Sequence, residues 1–166
     1  MLLALLSDTH DNARSTQAAL ALLAPHHPAA YLHAGDLVSP QMLEHFAHLP
    51  VPFHFILGNN EFDPPALHAA AAARGLHFHH DFADLSFAGK RLAMTHGHDG
   101  VRLEKLIASG HYAWVIHGHT HQQRDERRGA TRVLNPGALH RARIRSVALL
   151  DPAADALTFL HLPPSA

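Results

Sequence analysis

An α/β sandwich, two mixed β-sheets packed face to face and flanked by helices, is the fold class that the order of apolar segments predicts. Three observations predict it. Continuous apolar runs such as Leu2 to Leu6 read as strands covered on both faces. Strand and helix patterns alternate up to Gly75, as crossovers between parallel strands require. Beyond that point the rhythm changes to short strands and a hairpin, so the elements divide between two sheets.

Each element has its own justification. After the strand Leu2 to Leu6, Arg14 to Ala24 carries good helix formers with Leu20 and Leu23 on one side, and Pro25 ends it. Ala30 to Ala34 is a second strand. Pro40 to His48 follows as a helix with Pro at its start, where a missing N–H costs little. Phe53 to Leu57 is a third strand, and Pro64 to Arg74 an alanine-rich helix closed by Gly75. Leu76 to His79 is a short strand. Leu85 and Phe87, then Leu92 and Met94, alternate around Ala88-Gly89-Lys90 as a hairpin does. Val101 to Ser109 is a helix with Leu103, Leu106 and Ile107 on one face, and Ala113 to Ile116 another buried strand. Thr131 to Leu134, Ser146 to Asp151 and Ala156 to Leu160 complete the set, the last two an antiparallel pair. Residues 1–166 are expected to form one domain, frayed over Pro163 to Ala166.

Bulk composition narrows the classes. A chain of 166 residues with 47% hydrophobic and 16% charged residues folds as a globule able to bury a core. The net charge of -1, without a long basic block, argues against a nucleic-acid duplex or an anionic membrane as the main partner. Arg124, Arg127 and Arg128, then Arg141, Arg143 and Arg145, form two local clusters; such clusters usually face solvent, although one beside a site attracts an anionic substrate. There is no cysteine, hence no disulfide framework and no zinc–thiolate site. The first six residues are too short for a signal-peptide core, and no segment approaches a membrane span, so the cytoplasm is the expected location.

With 19 histidines in the chain, no single one is informative. Position is. Asp8, His10, Asp36, Asn59, His96, His119 and His121 each stand just beyond an apolar run, and all but Asp8 and His121 are directly beside Gly, Asp or Asn. Asp8 and His10, two apart, are expected to leave a strand end on the same face, and His119 and His121 repeat the spacing with Thr120 turned away. A composition bias toward histidine cannot also place Asp8, Asp36 and Asn59 after three successive strands. Seven carboxylate, amide and imidazole donors exceed what one structural ion needs and suit two close divalent ions. Such pairs activate water and clamp the oxygens of an in-line displacement at phosphorus.

The ordered series Asp8-x-His10, Gly35-Asp36, Gly58-Asn59, His96-Gly97-His98 and Gly118-His119-Thr120-His121 resembles the calcineurin-like metallophosphoesterase superfamily. The compact length and Asn135-Pro136-Gly137 resemble its small single-domain phosphodiesterase branch. The resemblance implies one metal site of Asp8, His10, Asp36 and His121, and a second of Asp36, Asn59, His96 and His119, with Asp36 shared. It implies attack on a small phosphodiester by a hydroxide bridging the two ions. The donor set suits Mn, Fe, Co, Ni or Zn, and the resemblance tilts the choice toward manganese. Relatives often assemble as dimers or larger oligomers.

Two departures from the family pattern matter. Asn60 stands where many relatives have a histidine that helps the leaving group; an amide donates a hydrogen bond to a phosphoryl oxygen but supplies no proton. His98, two residues beyond a proposed ligand, is the candidate substitute acid, with orientation of the site by hydrogen bonding as its other role. Ala138 replaces the serine frequent after Asn-Pro-Gly. Asn12 is a candidate phosphate contact, though an asparagine there more often caps the Arg14 helix. His117 is assigned a structural role, and Glu61 and Asp63 are loop carboxylates. The rival function is a protein-interaction scaffold, since the scaffold subunit of the retromer sorting complex uses the same fold with a weakened metal site. All seven donor positions are competent here, which favours an enzyme.

Overall fold

The computed structural model describes residues 1–163. Among the described residues, eleven strands form two mixed sheets. In the first, β1 (Leu3–Leu6), β2 (Ala30–His33), β3 (Phe53–Phe55) and β4 (His77–Phe78) run parallel, and β10 (Ser146–Asp151) and β11 (Ala156–His161) extend the β1 side antiparallel. In the second, β5 (Phe82–Phe87) and β6 (Lys90–Thr95) form the hairpin. Next to β6 come β7 (Trp114–Ile116), β9 (Thr131–Pro136) and β8 (Gln123–Arg128).

The layers follow from which face of each strand is apolar. Leu3, Leu5, Leu32 and Ile56 point from the first sheet toward Leu92, Met94, Trp114 and Ile116 of the second, filling the sandwich. The opposite face of the first sheet presents Leu6, Phe53 and Phe55 to α1 (Ala13–Leu23), α2 (Pro64–Ala73) and Phe46. The outer face of the second is covered by α3 (Gly100–Ala108), whose Leu103 and Ile107 meet Ala93, Val115 and Val133. The predicted sandwich of mixed sheets with flanking helices is therefore the fold.

Several expectations change in detail. Pro40–His45 forms a 3₁₀ helix instead of an α-helix reaching His48. Ser39 supplies no cap there, because its hydroxyl donates to Asp11, and the short segment needs only to bury Met42 and Leu43. Strand β8 was not anticipated: Gln-Arg-Asp-Glu-Arg-Arg has no apolar period, being an edge strand whose charges face solvent. It is held by cross-strand ion pairs such as Arg132 to Asp125 at 2.7 Å. Strand β9 runs on through Asn135-Pro136. Of the segment expected to fray, Pro163 is described and its carbonyl accepts from Arg145; residues 164–166 lie outside the described part.

Candidate metal centre

Parallel strands β1, β2 and β3 of one sheet and β6 and β7 of the other all end on one side, and the predicted donors lie in the turns just beyond those ends. This is where open α/β sheets bind ligands. Asp8, His10, Asp36, His119 and His121 all have left-handed backbones, with φ between 44° and 67°. Non-glycine residues pay for that conformation, and it persists only where surroundings over-determine it. Hydrogen bonds do so here. Asp8 N donates to Gly35 O at 3.0 Å and His10 N to Asp36 O at 2.9 Å, which couples the first turn to the second. His119 N donates to Asp8 Oδ2 at 3.1 Å, which couples the two sheets. The side chains of Asp8 and His10 reach the same place through these turns, not through strand alternation, since β1 has ended at Leu6.

The glycines of the motifs permit the approach. A Cβ on Gly58 would collide with Asp36 Oδ1, and one on Gly118 with Ser7 Oγ and Asp8 Oδ2.

The donor atoms converge. Asp36 Oδ2 lies 3.3 Å from His10 Nε2 and 3.2 Å from His96 Nε2, and Asp8 Oδ1 lies 3.2 Å from His121 Nε2. Asp8 Oδ1 is also 3.9 Å from both His10 Nε2 and His96 Nε2. Two groups of mutually close donors result, Asp8–His10–His121 and Asp8–Asp36–His96. His119 and Asn59 border the same cleft of about 410 Å³, with the His119 ring centroid 5.2 Å from that of His96. All seven predicted donors are thus gathered at one place.

Whether a cation fits is decided by the atoms left without partners. Asp8 Oδ1, His10 Nε2 and His96 Nε2 are buried and make no hydrogen bond. Leaving such groups unpaired costs about 1–3 kcal/mol each. Three that point at one another are compensated together by a divalent ion. The His96 tautomer agrees, because Nδ1 lies 2.7 Å from the carbonyl of Ala34, which only accepts; Nδ1 must carry the proton and Nε2 keeps its lone pair outward.

Electrostatics point the same way. Burial pushes the Asp8 carboxyl up, against the opposing pull of Ser7, His96 and His121. A cation beside Oδ1 reverses that preference. Asp36 is opposed by burial, but the adjacent His96 ring and the Asn60 amide hold it well below the usual carboxylate range. His96 is raised: burial works against its protonation, and the facing carboxylates of Asp36 and Asp8 outweigh it, so a divalent ion at Nε2 would take the place of a proton drawn there by the same two carboxylates.

The remaining candidates sit as follows. Asn60 borders the cleft, and its Nδ2 donates to Asp36 Oδ2 at 2.8 Å. Asn12 Oδ1 accepts from Ser15 N at 3.0 Å, so it caps α1 and does not line the cleft. His98 is exposed at the rim, its ring 5.6 Å from His96 and 6.2 Å from His119. His117 is buried away from the cleft between Gly118 O and Arg124, and burial lowers it to about 4. Asp63 caps α2, accepting from Ala66 N.

Four features take roles that the sequence does not assign to them. Glu61 proves to be more than a loop carboxylate: it accepts from Leu37 N and Gly58 N, both at 2.7 Å, and so ties the second and third motif turns together. Asn135 Nδ2 donates to Gly118 O at 2.9 Å and Thr120 Oγ1 at 3.1 Å, holding the fifth turn. His33 lies fully buried behind Thr9. His140 and Arg141 line the cleft, His140 with its ring 5.2 Å from His10. The signal for the last pair was their place just after Asn135-Pro136-Gly137.

A family model, the calcineurin-like phosphoesterase superfamily domain, matches residues 1–155. A phosphodiesterase of Methanocaldococcus jannaschii is 30% identical over 138 residues, covering 82% of this chain and 83% of the relative. The structure of an archaeal phosphodiesterase superposes with a TM-score of 0.91 at 27% identity, over 98% of this chain and 100% of the other. Vps29 of Entamoeba histolytica, solved with bound zinc, shares the fold with a TM-score of 0.71 at 21% identity, over 97% and 91% of the two chains.

Proposed function

The chain belongs to the calcineurin-like phosphoesterase superfamily, and from that premise we propose that it is a single-domain binuclear phosphodiesterase acting on small phosphodiesters. The carrying observation is the convergence of three unpartnered buried atoms, Asp8 Oδ1, His10 Nε2 and His96 Nε2, around Asp36. Asp8, His10, Asp36 and His121 would hold one divalent ion, and Asp36, Asn59, His96 and His119 the other. When bound, such ions supply Lewis acidity and lower the pKa of an attacking water. The carboxylate, amide and imidazole donors admit Mn, Fe, Co, Ni or Zn, and membership of the family makes manganese the proposed metal.

The chain's own groups do the positioning. Glu61 and Asn135 fix the motif turns, and the Ala34 carbonyl fixes the His96 ring. Asn60 is the proposed donor to a phosphoryl oxygen, and its amide already points at the centre through Asp36. His98, at the rim beside His119, is the proposed proton source for the departing oxygen. The cleft is bounded by short loops, in keeping with small substrates reached from solvent.

Metal analysis of the purified protein, followed by assay on bis(p-nitrophenyl) phosphate, tests the proposal. Two ions per chain and metal-dependent release of nitrophenol are expected. A folded protein that binds no ion and turns over no ester would replace the hydrolase with the scaffold reading.

A further inference from the structure

We propose that the cleft continues into a second subsite that takes a further phosphate on the substrate, with Arg141 lining both hollows and Arg143 only the second; this rests on the phosphodiesterase reading above. A hollow of about 320 Å³ lies between the turn that follows His121 and the loop joining β9 to β10. It shares two lining residues, His121 and Arg141, with the metal cleft, so a ligand passes from one to the other without leaving the surface.

The charge there is unusual for this molecule. Seven of the eleven arginines face a carboxylate. Arg145 is tied to Ser15 Oγ and the carbonyl of Pro163. Among the described residues, Arg141 and Arg143 have no ion-pair or hydrogen-bond partner, a state shared only by Arg14 on α1. A chain with net charge -1 that pairs nearly every guanidinium leaves two open beside its catalytic cleft.

The loop carrying them is anchored, not loose. Ala138 and Leu139 are fully buried, Leu139 N donates to Asp8 O at 3.3 Å, and Ser146 N donates to Ala138 O at 3.2 Å. Arg141 has a left-handed backbone, φ 48°, which that closed loop imposes. A fixed loop that holds two forked, permanently charged donors suits phosphate, which accepts them bidentately. Ile144, 57% exposed, gives the hollow an apolar side for the organic part between two phosphates. The substrate class is a phosphodiester whose retained group carries another phosphate, as in a nucleoside bearing phosphates at two positions.

Two diesters with the same scissile bond test this: thymidine 5′-(p-nitrophenyl phosphate) and the same compound with a 3′-phosphate. The wild-type protein should favour the second by about tenfold in kcat/KM, carried by KM, as expected for one charged hydrogen-bonding contact. Arg143→Ala should bring that ratio to near one, Arg143→Glu should invert it, and Arg143→Lys should keep part of it. Calorimetric binding of thymidine 3′,5′-bisphosphate against thymidine 5′-phosphate should show the same ratios without turnover. Equal use and equal binding of the members of each pair by the wild type, or a preference that survives Arg143→Ala, overturns the subsite. Arg143-dependent preference in binding with no hydrolysis of either diester would instead uphold the subsite and sink the phosphodiesterase reading.

Discussion

The cleft at the carboxyl ends of the parallel strands and the outer edge of the six-stranded sheet both gather histidines, and they hold them by opposite means. At the edge, His54 on β3 stacks on His77 of β4 with centroids 4.6 Å apart, and its Nδ1 lies 3.0 Å from His79 Nε2. The rings satisfy one another and no carboxylate joins them. In the cleft, imidazole nitrogens face Asp8 and Asp36 and are left without hydrogen bonds, on turns held in left-handed conformations. A chain rich in histidine makes clusters by composition alone. What marks the functional one is the buried carboxylate, the unpartnered atom and the constrained backbone.

The largest break in that comparison comes from removing a shared carboxylate. Asp36→Ala should abolish tight binding of both ions and cut diester hydrolysis by more than the roughly 10–100-fold typical of supporting residues. Asn59→Ala should leave about one ion bound, and loss of both would redraw the ligand sets. His79→Ala, at the edge, should stay within about twofold of wild type. Metal content by elemental analysis beside kcat/KM separates these outcomes; full activity in a folded Asp36→Ala protein would end the binuclear proposal.

Leaving-group dependence comes next. With Asn60 in place of a histidine, rate should climb steeply as the pKa of the departing alcohol falls, so nitrophenyl diesters should react well and alkyl esters poorly. His98→Ala should steepen that dependence while both ions stay bound, costing poor leaving groups about tenfold or more, the lower part of what general acid catalysis contributes. Asn60→His should relieve the poor leaving groups most, although it also removes the amide that holds Asp36 Oδ2. A flat dependence in the wild type, unaltered by His98→Ala, would place proton delivery elsewhere.

Glu61 sharpens the comparison from the structural side. Its carboxylate accepts from Leu37 N, Val38 N and Gly58 N, so Glu61→Ala strands three donors in a half-buried turn. Each stranded group costs about 1–3 kcal/mol, less where water reaches it. A loss of about 3 kcal/mol overall should appear in urea unfolding of the metal-free protein, with weaker metal binding beside it. Unchanged stability would mean that the turns hold themselves.

The motifs and the layers were legible in sequence because both depend on local order: apolar runs end, and a glycine beside Asp, Asn or His follows. The turns were not. Two-residue spacing at Asp8 and His10 suggested strand alternation, whereas positive φ at both residues does the aiming. Glu61 was unreadable as a staple because its partners are backbone groups more than 20 positions away, at Leu37 and Val38. Strand β8 was hidden because an exposed edge needs no apolar period. Arg141 was legible only as part of an arginine cluster and His140 not at all, because only loop closure through Ser146 brings them to the cleft.

The smallest effect concerns the edge cluster and should spare catalysis altogether. Burial, with the neighbouring His77 and His79 rings, lowers His54 to about 4 from its ordinary 6.5, and burial also lowers His79. The folded state therefore resists protonation at His54 where the unfolded chain accepts it. Stability from this group is fully present above pH 6.5 and drains away as pH falls toward 4, because the unfolded state binds more protons across that window. In metal-free protein, which removes the separate pH dependence of metal binding, His54→Gln should make the pH slope of the unfolding free energy shallower by up to about one proton between pH 6.5 and 4. At neutral pH its turnover of a nitrophenyl diester should match wild type, since His54 touches nothing in the cleft. An unchanged slope would mean that the stacked imidazoles share their charge with solvent. A fall in turnover would mean that the edge and the cleft communicate through β3, and the two histidine clusters would no longer be separable.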